Sequence, residues 1–153
     1  MAHKPIPPER GLLDTNILIL RRQLPAGLLR GDLAISAVTL AELSAGVHMV
    51  RIDHPEVLTE RANRMAVLQL VENEFDPIPF GQQAARMFGR MSAAMQASGR
   101  TPRRRLADLM IAATAAAESI PLYTTNPDDF EGLEGLVAII PVPRPSAQTT
   151  PRP

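Results

Sequence analysis

Three carboxylates interrupt stretches of this chain that are otherwise apolar. Asp14 lies within Gly11–Leu20, Glu42 within Ala37–Ala45, and Asp108 within Leu106–Ala113. An ionised carboxylate in apolar surroundings is costly unless it is paired, hydrogen-bonded or bound to a cation. A fourth polar group, Thr124–Phe130, contains Asn126 and Asp129. If the fold gathers these acids at one point, they repel one another until a cation neutralises them. With oxygen donors only, the ions that suit are Mg²⁺ or Mn²⁺. A site of that kind can hydrolyse phosphodiesters, by activating a water and stabilising the leaving oxygen.

Each acid also has a plainer explanation. Asp14 can cap the helix that follows it. Thr39 to Glu42 matches the S/T-x-x-E capping box. Asn126 and Asp129 sit in a turn-like Asn-Pro-Asp-Asp sequence. Asp108 is poorly explained by capping, because it lies beyond a first turn and between apolar residues. Thr15 and Asn16 can bind phosphate or hold Asp14, or merely start the helix. Arg100, Arg103, Arg104 and Arg105 form the one dense basic cluster. It can neutralise RNA phosphates beside Asp108 or serve as a solvated helix start. A basic first turn opposes the helix dipole, which favours the functional reading. His3, His48 and His54 are scattered, and nothing pairs them with a nucleophile. Met87, Met91 and Met95 recur at helical spacing and suit a core or an interface.

Strands and helices alternate along the chain. The pattern places strands at Gly11–Leu13, Leu33–Ile35, Phe75–Pro79, Pro121–Thr124 and Leu136–Ile140. Helices fall after Thr15, from Leu40 to about Arg51, over Glu56–Glu74, over Gln82–Ala97 and over Arg103–Ser119. In the fourth of these, Ala84, Phe88, Met91 and Met95 share one face. Either Ser36 or Thr39 opens the second helix, and Asp53–Pro55 makes a turn. This alternation predicts a parallel sheet with helices on both faces. Residues 1–10 are expected to form a flexible arm, 11–140 the folded domain, and 141–153 a disordered Pro-rich tail.

The totals set limits. A chain of 153 residues suits one domain with a sizeable core. Formal net charge is zero, so no global basic field points to nucleic acid, although a local basic groove is compatible with that balance. The only lysine is Lys4, and no acidic residue follows Glu134. The absence of cysteine removes disulfides, thiol catalysis and Cys-based metal sites, and fits a cytoplasmic protein. No apolar run has the length of a membrane span, and the N-terminus lacks the apolar core of a signal peptide.

Taken together, Asp14-Thr15-Asn16 after a first strand, Glu42 in an Ala-Glu-Leu helix, Asp108 in a Leu-Ala-Asp-Leu helix and Thr125–Phe130 after strand four resemble the PIN-domain family. More narrowly, from about Gly11 to Ile140, the chain resembles VapC-type toxins of bacterial toxin–antitoxin pairs. The resemblance implies a three-layer α/β/α sandwich with a mostly parallel sheet of four to five strands. It implies a Mg²⁺- or Mn²⁺-dependent endoribonuclease, usually a homodimer. A VapB-type antitoxin would lie across its groove, and operator DNA would be reached only through that antitoxin. Asp14, Glu42 and Asp108 would hold the metal. Asn126 stands where many PIN domains carry an acid, so either Asn126 or Asp129 would complete the catalytic set. Thr15, Asn16, Arg103, Arg104 and Arg105 would face the RNA. Two other classes are compatible with parts of the pattern. One is a non-catalytic PIN-like binding protein in a DNA-bound complex. The other is an aspartyl-phosphate enzyme using Asp14, which would want a lysine near the site. An apolar helix pair, around Leu40–Met49 and Val57–Val71, offers a surface for a partner helix.

Overall fold

The computed structural model describes residues 10–51 and 55–146. Residues 1–9 of the expected arm, 147–153 of the expected tail, and most of the turn at Asp53–Pro55 lie outside the described residues. Strand β1 spans Arg10–Leu13 and leads directly into helix α1, Thr15–Leu20, which tightens into a 3₁₀ turn over Arg21–Gln23. Strand β2 (Asp32–Ala34) precedes α2 (Ala37–His48), α3 (Val57–Glu74) and α4 (Gln82–Ala97). A 3₁₀ turn over Pro102–Arg105 opens α5 (Leu106–Ala117), and β3 (Leu122–Thr124) follows. A last 3₁₀ turn, Pro127–Phe130, precedes β4 (Ile139–Pro141).

All three strand pairings are parallel, and the order is β2-β1-β3-β4. Successive side chains of a strand point to opposite faces, and the core divides accordingly. Leu12, Ala34 and Leu122 join one buried cluster with Met91 and Met95 of α4 and Leu109 and Ile111 of α5. Their neighbours Leu13, Ile35 and Tyr123 join a second cluster with Ile17 of α1, Leu43 and Val47 of α2, and Leu68 and Val71 of α3. The sheet is therefore the middle of three layers. The expected face of α4 is realised: Ala84, Met91 and Met95 are buried, and Phe88 packs against the first cluster.

Two expectations change. The strand expected at Phe75–Pro79 is a single parallel bridge between Ser36 and Ile78. Ile78 N donates to Ile35 O, and Ala37 N donates to Ile78 O. Pro77 and Pro79 flank Ile78 and have no N–H to extend the ladder. The folded region also runs past residue 140. Pro141 closes β4, and Val142 is buried with its N–H on Thr124 O at 2.8 Å. One glycine is dictated by a close approach: a Cβ on Gly11 would fall 2.3 Å from the Tyr123 ring of β3.

Chain connectivity fixes where a ligand can sit. After β1 the chain moves to β2 on one side, then returns to β3 on the other. The carboxyl ends of β1 and β3 thus flank the point where the winding reverses, which is where open parallel sheets leave a crevice.

Candidate active site

Asp14 is the first residue beyond β1, and Thr124 is the last residue of β3. Thr124 Oγ1 donates to Asp14 Oδ2 at 2.8 Å, a side-chain bond across the reversal point. Asp14 Oδ1 accepts from Thr15 N at 2.9 Å, so Asp14 also caps α1. Asp14 N donates to Tyr123 O at 2.9 Å. Only 4 % of Asp14 is exposed, and Thr124 is fully buried. Asp14 is thus cap and buried acid at once.

Glu42 projects from α2. Its Oε1 accepts from Thr15 Oγ1 at 2.7 Å. The capping-box explanation of Glu42 does not hold, because Ser36 is the cap. Ser36 Oγ accepts from Thr39 N at 3.0 Å, which places Thr39 inside the first turn. Thr39 Oγ1 instead lies within hydrogen-bond reach of Thr15 Oγ1, at 3.1 Å. A line of hydroxyls, Ser36, Thr39 and Thr15, therefore runs from the sheet edge to Glu42.

Asp108 lies in the first turn of α5, and Arg105 reaches it from the preceding 3₁₀ turn at 3.7 Å. The same guanidinium nitrogen meets Asp129 Oδ1 at 2.7 Å. Asp129 rides on the Pro127–Phe130 turn. Arg100 clamps that turn by donating to Asp128 O at 2.6 Å and to Glu131 Oε2 at 2.6 Å.

Asp14, Thr15, Asn16, Glu42 and Asp108 line one hollow of 590 Å³. It continues between α2 and α3 past Ile19 and Val67. The electrostatics show the same convergence. Burial pushes the Asp14 carboxyl above the usual carboxylate range, and the charges of Glu42 and Asp129 add to it. The bonds from Thr124 and Thr15 oppose that rise. Asp108 is pushed up to about 6, first by burial, then by Asp14, Asp129 and Glu42, with Arg105 opposing. Among the described residues no three of these side chains already form a set of metal ligands as they stand.

The remaining expected residues fall elsewhere. Arg103 and Arg104 are exposed on the 3₁₀ turn, and only Arg105 of the three touches the acids. Asn126 is half-buried and does not line the hollow, and its backbone N–H donates to Thr124 Oγ1 at 3.0 Å. The sequence did not reveal the part played by Thr124, which bonds Asp14 from 110 residues away. The signal that could have found it is a hydroxyl at the end of a strand next to the strand bearing the acid.

A parallel sheet between two helical layers, with acids gathered at the reversal point, defines a class. The PIN domain model matches residues 11–136, and the chain belongs to the PIN-domain family. Among individual proteins, Ribonuclease VapC5 of Mycobacterium tuberculosis (strain ATCC 25618 / H37Rv) is 37 % identical over 135 residues. That match covers 86 % of this chain and 93 % of the relative. The crystal structure of VapBC-5 from Mycobacterium tuberculosis, a member of the VapBC family of toxin–antitoxin systems, matches with a TM-score of 0.72 and 35 % identity. It covers 89 % of this chain and 99 % of the matched one. VapBC2 from Rickettsia felis, bound to a DNA fragment from its promoter, matches with a TM-score of 0.68 and 22 % identity. It covers 86 % of this chain and 98 % of the other, and shares the fold.

Proposed function

We propose that this protein is a metal-dependent endoribonuclease and the toxin of a toxin–antitoxin pair, cutting RNA and halting growth until an antitoxin neutralises it. The observation that carries the reading is the convergence of Asp14, Glu42 and Asp108 on one hollow at the carboxyl ends of β1 and β3. Similarity to a ribonuclease named VapC5 supports the RNA substrate. Similarity to the VapBC-5 structure supports a VapB-type antitoxin as partner.

The residues present fit a small divalent cation. The donors are all oxygen, and Asp14 and Asp108 are raised partly by their neighbours' charge, which a cation between them would relieve. Asp14, Glu42 and Asp108 would hold Mg²⁺ or Mn²⁺, with Asp129 or Asn126 completing the set. The ion, when bound, supplies charge neutralisation and a more acidic water. The chain's own groups do the rest. Thr124 Oγ1 and Thr15 N hold both oxygens of Asp14 in place. Thr15 Oγ1 holds one oxygen of Glu42, Oε1. Arg105, poised between Asp108 and Asp129, offers a guanidinium that would suit a substrate phosphate beside the acids. Thr15 and Asn16 border the path of the RNA, and Arg103 and Arg104 offer cations beside it.

The apolar continuation of the hollow suits the antitoxin. Ile19, Val67 and Leu70 line a second hollow of 570 Å³ along α1 and α3, and Ile19 and Leu70 are each about half exposed. Operator DNA would be reached through the antitoxin, and the toxin itself would be a cytoplasmic homodimer. Among the described residues no helix is long and apolar enough to cross a membrane.

Purified, antitoxin-free protein should cut total cellular RNA into discrete products with Mg²⁺ or Mn²⁺ and not with EDTA. Asp108→Asn should give none. Equal cleavage by that variant, or no metal-dependent product from folded wild-type protein, would overturn the nuclease reading and favour a binding role.

A further inference from the structure

On the other side of α1 from the α3 groove lies a smaller hollow of 330 Å³. Asn16 borders both this hollow and the acid site, so the two adjoin. Its walls mix three chemistries. Arg144 supplies a guanidinium, Asn16 and Gln23 supply amides, and Leu20 and Pro145 supply apolar surface. Thr125 completes the wall. It is only 6 % exposed, and its Oγ1 has no hydrogen-bond partner. A buried hydroxyl without a partner is disfavoured, and native proteins seldom keep one without a use.

The backbone fixes this arrangement. Thr125 directly follows Thr124, the residue that bonds Asp14. Val142 N donates to Thr124 O, which holds the chain after β4 beside β3 and delivers Arg144 and Pro145 to the hollow. Arg144 is exposed and has no ion-pair partner among the described residues.

We infer that this hollow is a subsite for one nucleotide of single-stranded RNA, adjacent to the bond that is cut. The inference rests on the nuclease reading given above. A guanidinium matches a phosphate in charge and fork geometry. Amide side chains carry donors and acceptors together and can meet a base edge. Leu20 and Pro145 cover the base, and a turn of the Thr125 side chain gives its hydroxyl a partner on the sugar or base. An unpaired strand can splay a base into such a hollow, whereas a base locked in an A-form duplex cannot enter it.

The test uses fluorescence anisotropy with a fluorescein-labelled 12-nucleotide single-stranded RNA of mixed sequence, and with its duplex. The full chain carries Asp108→Asn so that the RNA is not cut. Adding Arg144→Ala should weaken single-strand binding about 5- to 10-fold and change duplex binding less than about 2-fold. Arg90→Ala, which removes an exposed arginine on α4, should change neither by more than about 2-fold. Thr125→Val should weaken single-strand binding about 2- to 5-fold while leaving the melting temperature unchanged or raised, because it deletes the unpartnered hydroxyl. Equal losses from Arg144→Ala and Arg90→Ala would reduce Arg144 to a general charge and overturn the subsite. So would equal losses on single strand and duplex. Arg144-dependent single-strand binding by a protein that, with its acids intact, cuts nothing would overturn the nuclease reading and leave the hollow as a nucleotide-binding site only.

Discussion

On the inner wall of the acid hollow, Asp14 and Glu42 are held by neutral groups: Thr124 and Thr15 hydroxyls and one backbone N–H. On the outer wall, Asp108 is held by a cation, Arg105, which also pairs with Asp129 outside the lining of the hollow. The difference is physical. Hydroxyls orient carboxylates without cancelling their charge; Thr124 is buried with the sheet, whereas Thr15 is half-buried and meets Glu42 at the surface. Arg105 cancels charge but is partly exposed, so solvent weakens its hold. The inner wall is a fixed frame with charge to spare, and the outer wall is an adjustable one whose charge is provisionally met.

The largest effects should come from the acids of both walls. Asp14→Asn and Asp108→Asn should each lower metal-dependent RNA cleavage by about 100-fold or more. Activity surviving in either variant would remove that wall from the reaction. Next come the groups that hold the acids. Thr124→Val leaves Asp14 Oδ2 and the Asn126 N–H without their partner, and should cost about 1 to 3 kcal/mol of stability by urea unfolding. Arg105→Gln should cost less than about 1 kcal/mol while still lowering cleavage. If the Arg105 variant is the less stable of the two, the contrast between fixed and adjustable walls fails.

A third prediction follows from the Asp108 carboxyl, raised by burial and by its acidic neighbours to about 6, above the usual carboxylate range. A folded-state value above the unfolded one means the fold favours the protonated acid. Its contribution is favourable at acidic pH and is lost as pH rises through about 6. Asp108→Asn should therefore stabilise metal-free protein at pH 7.5 by about 1 to 2 kcal/mol, allowing for partial solvent screening. The gain should shrink as pH falls from 6 toward 4. Thermal melts in EDTA at both ends of that range would show it, and a variant no more stable than wild type at pH 7.5 would count against strain on the outer wall. The smallest effect belongs outside the site. Arg21 pairs with Glu74 through both carboxylate oxygens on the protein surface. Glu74→Gln should change stability by less than about 1 kcal/mol and leave cleavage within experimental error.

How much of this was legible in the sequence depended on range. Residues 82–97 were legible as a helix because Ala84, Phe88, Met91 and Met95 repeat at its pitch. Asp14 and Asp108 stood out because apolar neighbours made a charge conspicuous. Glu42 was ambiguous, since a local capping pattern also explained it; Ser36 took that role because its own hydroxyl reached Thr39 N. The Phe75–Pro79 segment had the composition of a strand, but its prolines removed the donors on either side of Ile78, leaving a single bridge. Thr124 and Arg100 were the least legible. Their partners lie 110 and 28 to 31 residues away, and no local pattern encodes such contacts. Arg103 and Arg104 looked equivalent to Arg105, and only the geometry of the 3₁₀ turn separates them.

The contact between Gly11 and Tyr123 has a spectroscopic consequence. Tyr123 is the only tyrosine, and the chain has no tryptophan. Its ring lies against Gly11 in the buried sheet, one residue before the threonine that grips Asp14. Excited beyond the absorption of its four phenylalanines, this protein therefore emits from one fluorophore at one known place. A change in tyrosine lifetime or quenching on adding Mg²⁺, RNA or a partner would report on the β1–β3 seam itself, without any label.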